Sequence, residues 1–287
     1  MTNLHLPEST LPSFGYLRSL SVITSDSIGE AVKDWESNPP VEEFTNFLDA
    51  DLESLQDKTR SISKDATDLG LPEFYFNSRS QRYHYRDSGA FVSQTAVENL
   101  TSRAIAQKRN EIRDLGEKLI GKLVTLDEWE KQTAAELEKL HTWTYLIGKG
   151  GQKNMTLSDY GKLGLRLSYE YGYLRGFAEK IRDDGMSEAQ FLARLELYIQ
   201  KANGTRQIAA QASHKQSGYL WERRYLRAVE NCKSCVSYSA LGWQPIGTLP
   251  SPTERCECQA NCKCYFKFSK DLSKPEDSLN RRSGWVR

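Results

Sequence analysis

Residues 125–150 read TLDEWEKQTAAELEKLHTWTYLIGKG, and this stretch predicts one α-helix together with both of its ends. Thr125 and Glu128 have the spacing of a capping box, in which two side chains satisfy free backbone amides at a helix start. Apolar side chains recur along one side of the helix, at Trp129, Leu137, Leu140 and Tyr145. Glycines mark its end, at Gly148, Gly150 and Gly151. A helix with one apolar side needs partners, so the stretch favours a fold of packed helices.

The same start and stop signals recur on both sides of this helix. Ser93 is the predicted N-cap of the preceding helix, and Ser187 with Gln190 forms another capping box. The other predicted helices run from Gln94 to Leu123, from Thr156 or Ser158 to Asp184, from Ser187 to Gly204, and from Thr205 into the 220s. We therefore predict a mainly α protein with a helical bundle or array as its body.

Two segments before this body have different patterns. Residues 82–92 read RYHYRDSGAFV, in which strand-forming side chains flank a turn at 87–89, so we predict a small β-hairpin. Residues 1–76 carry 14 acidic and 5 basic residues, against 24 and 34 in the remainder of the chain. We expect an acidic, partly extended arm with short helices at 25–35 and 41–55, which is the candidate for docking on a neighbouring protein. The alternative is that its charge serves solubility and has no partner.

The chain as a whole has 287 residues, a net charge of +1 and a mean hydropathy of −0.63. No apolar run approaches the roughly 20 residues that span a bilayer, and residues 1–12 lack the pattern of a signal peptide. We therefore expect a cytosolic chain without membrane contact. The four histidines lack HExxH spacing, the run GKGGQK at 148–153 fits a linker better than a phosphate loop, and no nucleophile motif is present. We predict no catalytic residues and no enzymatic activity.

All six cysteines lie in one short segment near the C-terminus. Cys232 and Cys235 form a CxxC pair, and the others follow at Cys256, Cys258, Cys262 and Cys264. In a cytosolic chain such clustering favours metal binding over disulfides, because thiols stay reduced there. Four thiolates complete the tetrahedron of a zinc ion. A catalytic zinc keeps one position open for water and usually has histidine or carboxylate ligands. Because the candidate ligands here are all cysteines, we predict a structural zinc.

Basic and aromatic residues are interleaved in the run YLWERRYLR at 219–227. Such a stripe can bind phosphates and stack bases, which makes Arg223, Arg224 and Arg227 candidates for nucleic-acid contact. We favour the alternative, an amphipathic helix that turns its aromatic residues inward and its arginines outward.

Five segments between residues 85 and 266 share a family pattern. They read YRDSGAFVS at 85–93, YEYGYLRGF at 169–177, CKSC at 232–235, GWQPIG at 242–247 and CQANCKCYF at 258–266. Together with residues 125–141 they resemble the head-morphogenesis, or minor head, proteins of phages of the Mu and SPP1 type. The resemblance covers roughly residues 82–268.

The resemblance also implies a set of metal ligands. Four ligands are expected among the five cysteines that match the family, which are Cys232, Cys235, Cys258, Cys262 and Cys264. The commoner form of the family has His-x2-Cys-x-Cys at this place, where this chain has Gln259, so Cys258 is the candidate replacement for the histidine. Cys256 looks like an extra cysteine.

The function implied by the resemblance is that of a non-enzymatic structural protein of the virion, assembled in the host cytoplasm. It would contact phage capsid, portal or neck proteins as part of an oligomer, with a structural zinc in its C-terminal region. The alternative is a zinc-ribbon-type protein that binds the packaged DNA nonspecifically.

The predicted organisation has four parts. They are an acidic arm at 1–76, a helical body at 77–228, a β-rich zinc knuckle at 229–268 and a polar tail at 269–287.

Overall fold

The computed structural model describes residues 54, 56–62, 73–77, 79–80, 82–227 and 230–271. Within these ranges the chain is mainly helical, with two small antiparallel sheets and a cysteine cluster near the C-terminus, which confirms the predicted fold class. None of the described helices combines the length and apolar character that a bilayer crossing requires. The predicted helix at 25–35, nearly all of the one at 41–55, and the tail beyond 271 lie outside the described residues.

Four long helices form the body, and side-chain caps explain where each begins. They are α1 (Gln94–Ile120), α2 (Leu126–Lys149), α3 (Leu157–Asp184) and α4 (Glu188–Gln216). The Ser93 hydroxyl accepts a hydrogen bond from the Ala96 amide at 3.0 Å, and reciprocal capping boxes open the other three helices. Each cap satisfies an amide that has no partner within its helix. The N-caps predicted at Ser93, Thr125 and Ser187 are confirmed, and Thr156 caps α3.

The core of the body lies where α2 and α4 pack together, with α1 and α3 against them. Trp129 of α2, Phe177 of α3 and Phe191 of α4 are fully buried, and their ring centroids lie 5.4–5.6 Å apart. Large aromatic side chains bury the most apolar surface and dominate a core of this kind. The apolar stripe predicted for α2 is confirmed, because Trp129, Leu137, Leu140 and Tyr145 are all fully buried.

Helix α4 differs from the prediction, because Gly204 lies in its interior instead of at its end. This glycine allows a close approach. A Cβ at Gly204 would lie 1.8 Å from Thr253 Oγ1 and 2.8 Å from the Pro252 carbonyl oxygen. The predicted helix break between 204 and 205 is therefore wrong, since the glycine admits a crossing loop and does not stop the helix.

The first sheet lies before the helical body. Strand β1 (Phe74–Asn77) pairs antiparallel with β2 (Arg82–Tyr85). The Tyr85 amide donates to the Ala90 carbonyl at 2.9 Å, and an isolated bridge joins His84 to Phe91. Residues 82–92 therefore turn back on themselves as predicted, but the main partner of β2 is the strand that precedes it.

The second sheet has the order β4-β3-β5 and is antiparallel. Its strands are β3 (Trp221–Tyr225), β4 (Gln244–Pro245) and β5 (Tyr265–Ser269). Buried and half-buried side chains alternate along β3, which is the period of a strand. The helix predicted to run into the 220s is therefore wrong for 221–225. The sheet also reaches across 228/229, where we predicted a domain boundary.

The close approach at Gly204 makes a prediction about stability. Gly204→Ala should lower the free energy of unfolding by about 1–3 kcal/mol, because the new methyl group overpacks the junction between α4 and the loop. Chemical denaturation followed by circular dichroism measures this change.

The matched control is Gly172→Ala on the exposed side of α3, where a Cβ meets nothing within 4 Å. This substitution should raise the free energy of unfolding by up to about 1 kcal/mol, since alanine is the better helix former. Equal effects at the two positions would contradict a role for Gly204 in packing.

Candidate metal centre

Six cysteines meet at the end of the second sheet. Cys232 is the N-cap of helix α5 (Lys233–Ala240), and its sulfur accepts a hydrogen bond from the Cys235 amide at 3.4 Å. Cys256 and Cys258 lie in the turn before a short 3-10 helix, Gln259–Asn261, which leads into β5. The pairing of β5 with β3 then brings the last two cysteines beside α5. The six form one cluster, and all of them are free thiols.

The sulfur separations match those of metal ligands. The Sγ–Sγ distances are 3.4 Å for Cys232–Cys258, 3.5 Å for Cys235–Cys258, 3.7 Å for Cys235–Cys262 and 3.6 Å for Cys256–Cys258. A tetrahedron with Zn–S bonds of about 2.3 Å has edges of about 3.8 Å, whereas a disulfide bond measures about 2.05 Å. Cys235, Cys256, Cys258 and Cys262 have all four sulfurs within 4.8 Å of one another, so they can hold a metal ion.

This group of four overlaps only in part with the set predicted from the sequence. It includes Cys256, which we had interpreted as an extra cysteine. Cys232 and Cys264 lie at the edge of the group, since the Cys232 sulfur is 3.4 Å from that of Cys258 and Cys264 is buried in the same cluster. Which four cysteines bind stays a prediction. A signal for Cys256 was present in the sequence, because Cys256 and Cys258 repeat the CxC spacing of Cys262 and Cys264.

A buried arginine lies directly against the cluster. Arg224 is fully buried, and its Nη2 donates to Cys262 Sγ at 3.2 Å and to Cys235 Sγ at 3.5 Å. Its Nη1 donates to the Pro250 carbonyl at 3.0 Å, and within the described ranges it forms no ion pair with a carboxylate. A buried guanidinium needs a compensating negative charge. The thiolates of the cluster are the groups in place to provide it.

The surroundings of the thiols favour ionisation at two positions. Burial raises the pKa of Cys232, but hydrogen bonds from the Cys235 and Cys258 backbone outweigh it and lower that pKa to about 7. Hydrogen bonds from Cys256 and Cys264 hold the pKa of Cys262 well below its ordinary value. Because thiolates are the form that binds metal, these contacts favour metal binding at Cys232 and Cys262, whereas burial raises the pKa of Cys235 and Cys258.

Strained backbone accompanies the cluster. Thr253, Arg255 and Gln259 have positive φ angles of 76°, 40° and 42°. Non-glycine residues in this region cost of order 1–3 kcal/mol each and persist where the surroundings hold them. The segment 253–259, which carries Cys256 and Cys258, therefore needs contacts with other parts of the protein to hold this backbone conformation.

The three arginines proposed for nucleic-acid contact lie in different environments. Arg224 is buried, so its candidacy is wrong, because strand alternation turns it toward the sulfurs. Arg223 lies over the Tyr225 ring with its Cζ 5.1 Å from the centroid. Arg227 is exposed and pairs with Glu98 at 3.0 Å. The predicted amphipathic helix with inward aromatic residues is replaced by a strand with charged residues inward.

A cleft of about 1010 Å³ adjoins the metal centre, between α3, α4 and the loop at 247–260. Its cations are Lys162, Arg166, Arg194, Lys201 and Arg255, and its exposed apolar side chains are Leu165, Tyr169, Tyr173 and Leu197. Cys256 belongs to the loop wall. The conformation of the cysteine loop therefore determines one side of the cleft.

A buried carboxylate supports the basic side of this cleft. Glu170 is fully buried and lies 3.1 Å from Arg166 Nη2 and 3.7 Å from Lys201 Nζ. Burial and the neighbouring Arg166 lower the pKa of Lys201, and Glu170 opposes that change. The carboxylate thus anchors two cations at the cleft and partly offsets the cost of holding them close together.

The role of Arg224 can be tested by a substitution. Arg224→Leu should weaken metal binding, with Zn²⁺ as the probe, by about 10–100-fold, as expected for loss of a group that hydrogen-bonds metal ligands. Competition with a chromophoric chelator measures the affinity. Arg223→Leu, on the opposite face of the same strand, is the control and should leave the affinity unchanged. Equal losses in the two variants would argue against the contact.

Neither a protein-family model, nor a curated protein, nor a solved structure matches this chain.

Proposed function

We propose that this chain is a non-enzymatic structural protein of a phage particle, of the minor head or head-morphogenesis type, with a C-terminal knuckle closed by zinc. The observation that carries the proposal is the convergence of the cysteines on one buried cluster. The segments at 232–235 and 258–266, which resemble that family, both contribute to the cluster. The resemblance itself supports the family and the place in a particle.

Zinc is the metal that this donor set favours. The donors in contact are all sulfurs, and tetrahedral sulfur sites select zinc or iron–sulfur chemistry. Cys235 and Cys262 are buried and covered by Arg224, which suits a closed structural site with no position left for water. We therefore propose a structural zinc and no metal-based catalysis.

The knuckle depends on the proposed zinc as a clamp that holds its segments together, because its apolar core is small. Five buried residues form that core, namely Tyr219, Ile246, Leu249, Phe266 and Phe268. Small domains of this kind gain much of their folding free energy from the metal. The strained backbone at 253–259 adds to the requirement.

The cleft beside the knuckle is the proposed contact surface for neighbouring proteins. Leu165 and Tyr173 are 51% and 57% exposed on the same side of α3 as the cations Lys162 and Arg166. Exposed apolar groups rimmed by charge are typical of interaction sites. We propose that acidic segments of capsid, portal or neck proteins dock here, because the five cations of the cleft outnumber the glutamates that line it, Glu254 and Glu257.

The alternative function, nonspecific binding of packaged DNA, has less support. Of the three arginines that suggested it, Arg224 is buried and Arg227 is paired with Glu98. DNA binding by the cleft cations would be steeply sensitive to salt, because phosphate contacts release counterions. A salt titration of DNA affinity therefore separates the two functions.

The zinc clamp makes a prediction about protease resistance. Cys235→Ser should make residues 230–269 sensitive to limited proteolysis and leave the helical circular dichroism of the body nearly unchanged. The reason is that the knuckle loses a ligand, whereas the body has its own core. Ser237→Ala, on the exposed side of the same helix, is the control. Unchanged resistance in Cys235→Ser would overturn the clamp.

The place in a particle is tested separately. Mass spectrometry of purified phage particles from a host that carries the gene should detect the chain in low copy number. Disruption of the gene should reduce the yield of filled heads, and the intact gene supplied in trans should restore it. Complete particles that lack the chain would contradict the proposed function and leave the metal centre unaffected.

A further inference from the structure

We propose that the cysteine cluster holds two metal ions, which share the sulfurs of Cys235 and Cys262. This inference rests on the proposed zinc clamp and goes beyond it in the number of ions and in the cysteines used. The first observation is that ligand-like separations extend beyond one group of four sulfurs. Cys232 lies outside the group formed by Cys235, Cys256, Cys258 and Cys262, yet its sulfur is 3.4 Å from that of Cys258.

Cys264 identifies the ligands of one ion. It packs in one buried cluster with Cys235, Cys256 and Cys262. An ion that uses Cys264 therefore draws its other ligands from these three cysteines. Cys256 can bind together with the other two, because its sulfur lies within 4.8 Å of both Cys235 and Cys262. One tetrahedral set is thus Cys264, Cys262, Cys235 and Cys256.

Cys232 identifies the ligands of the other ion in the same way. Its sulfur lies 3.4 Å from that of Cys258 and accepts a hydrogen bond from the Cys235 amide. The fourth sulfur that reaches both of these is Cys262, which lies 3.7 Å from Cys235 and within 4.8 Å of Cys258. The two sets together use all six cysteines and have Cys235 and Cys262 in common.

The position of Arg224 agrees with this division. Its guanidinium donates hydrogen bonds to Cys262 and Cys235, which are the two sulfurs assigned to both ions. Six thiolates and two divalent ions carry a net charge of about −2, so a buried cation at the shared edge reduces the excess negative charge. Each cysteine that is still protonated loses its proton when it binds Zn²⁺, and no oxidation or reduction takes place.

The test counts metal ions in the full-length chain purified under reducing conditions. Elemental analysis and native mass spectrometry should find two zinc ions per chain. After replacement by ¹¹³Cd, the spectrum should contain two cadmium resonances that are coupled to each other through the shared sulfurs. One ion per chain would overturn the inference and leave the zinc clamp standing. No bound metal would overturn both.

Three variants further distinguish a cluster of two ions from a site with a single ion. With two ions, Cys232→Ser, Cys256→Ser and Cys264→Ser should each reduce the count from two to one. With a single ion on Cys235, Cys256, Cys258 and Cys262, the first and third variants would keep their metal and the second would lose it. Ser237→Ala is the control and should retain the wild-type count. Since the cadmium measurement uses the wild-type chain, the inference is tested even if a variant fails to fold.

Discussion

The contact between the Arg224 guanidinium and the sulfurs of Cys235 and Cys262 is the constraint on which the C-terminal region depends. Arg224 has no carboxylate partner in the part of the chain that the structure describes, so its charge can be buried at low cost only beside another negative charge. Arg224 therefore ties the inward face of β3 to α5 and to the start of β5. These elements are distant in sequence, and the cluster is the place where they meet.

The residue two positions earlier on β3 connects this centre to the helical body. Glu222 is fully buried, and its carboxylate accepts hydrogen bonds from the Leu249 amide at 2.8 Å and from Gln211 Nε2 of α4 at 2.6 Å. The loop that follows Leu249 then crosses α4 at Gly204. That loop is held by β3 at one end and by the cysteines at the other. Because it also forms a wall of the cleft, loss of metal should change the shape of the proposed contact surface.

The body has a polar interior contact of its own, which orients three helices. Lys149 Nζ lies 2.9 Å from Asp159 Oδ2 and 2.9 Å from Gln216 Oε1, so the end of α2 meets the start of α3 and the end of α4. Burial raises the pKa of Asp159, but hydrogen bonds from Thr156 and Lys149 outweigh it and keep the carboxylate ionised. Lys149 belongs to the run GKGGQK, and its inward position agrees with the interpretation of that run as a linker between helices.

Local interactions made much of this fold predictable from the sequence. The caps at Ser93, Thr125 and Ser187, the apolar stripe of α2 and the clustering of cysteines all depend on residues that lie close together in the chain. The roles of Gly204 and Arg224 depend on distant residues, and here sequence reasoning failed. The sequence predicts a helix end at Gly204, whereas in the structure a loop about 50 residues later crosses the helix there. The sequence also predicts that Arg224 lies on the outer side of a helix, whereas sheet pairing directs it inward. The sequence by itself thus determined the helices and the clustering of the six cysteines in one segment. Tertiary structure decided which sulfurs meet and which charge they balance, because those contacts form only when distant segments close around one another.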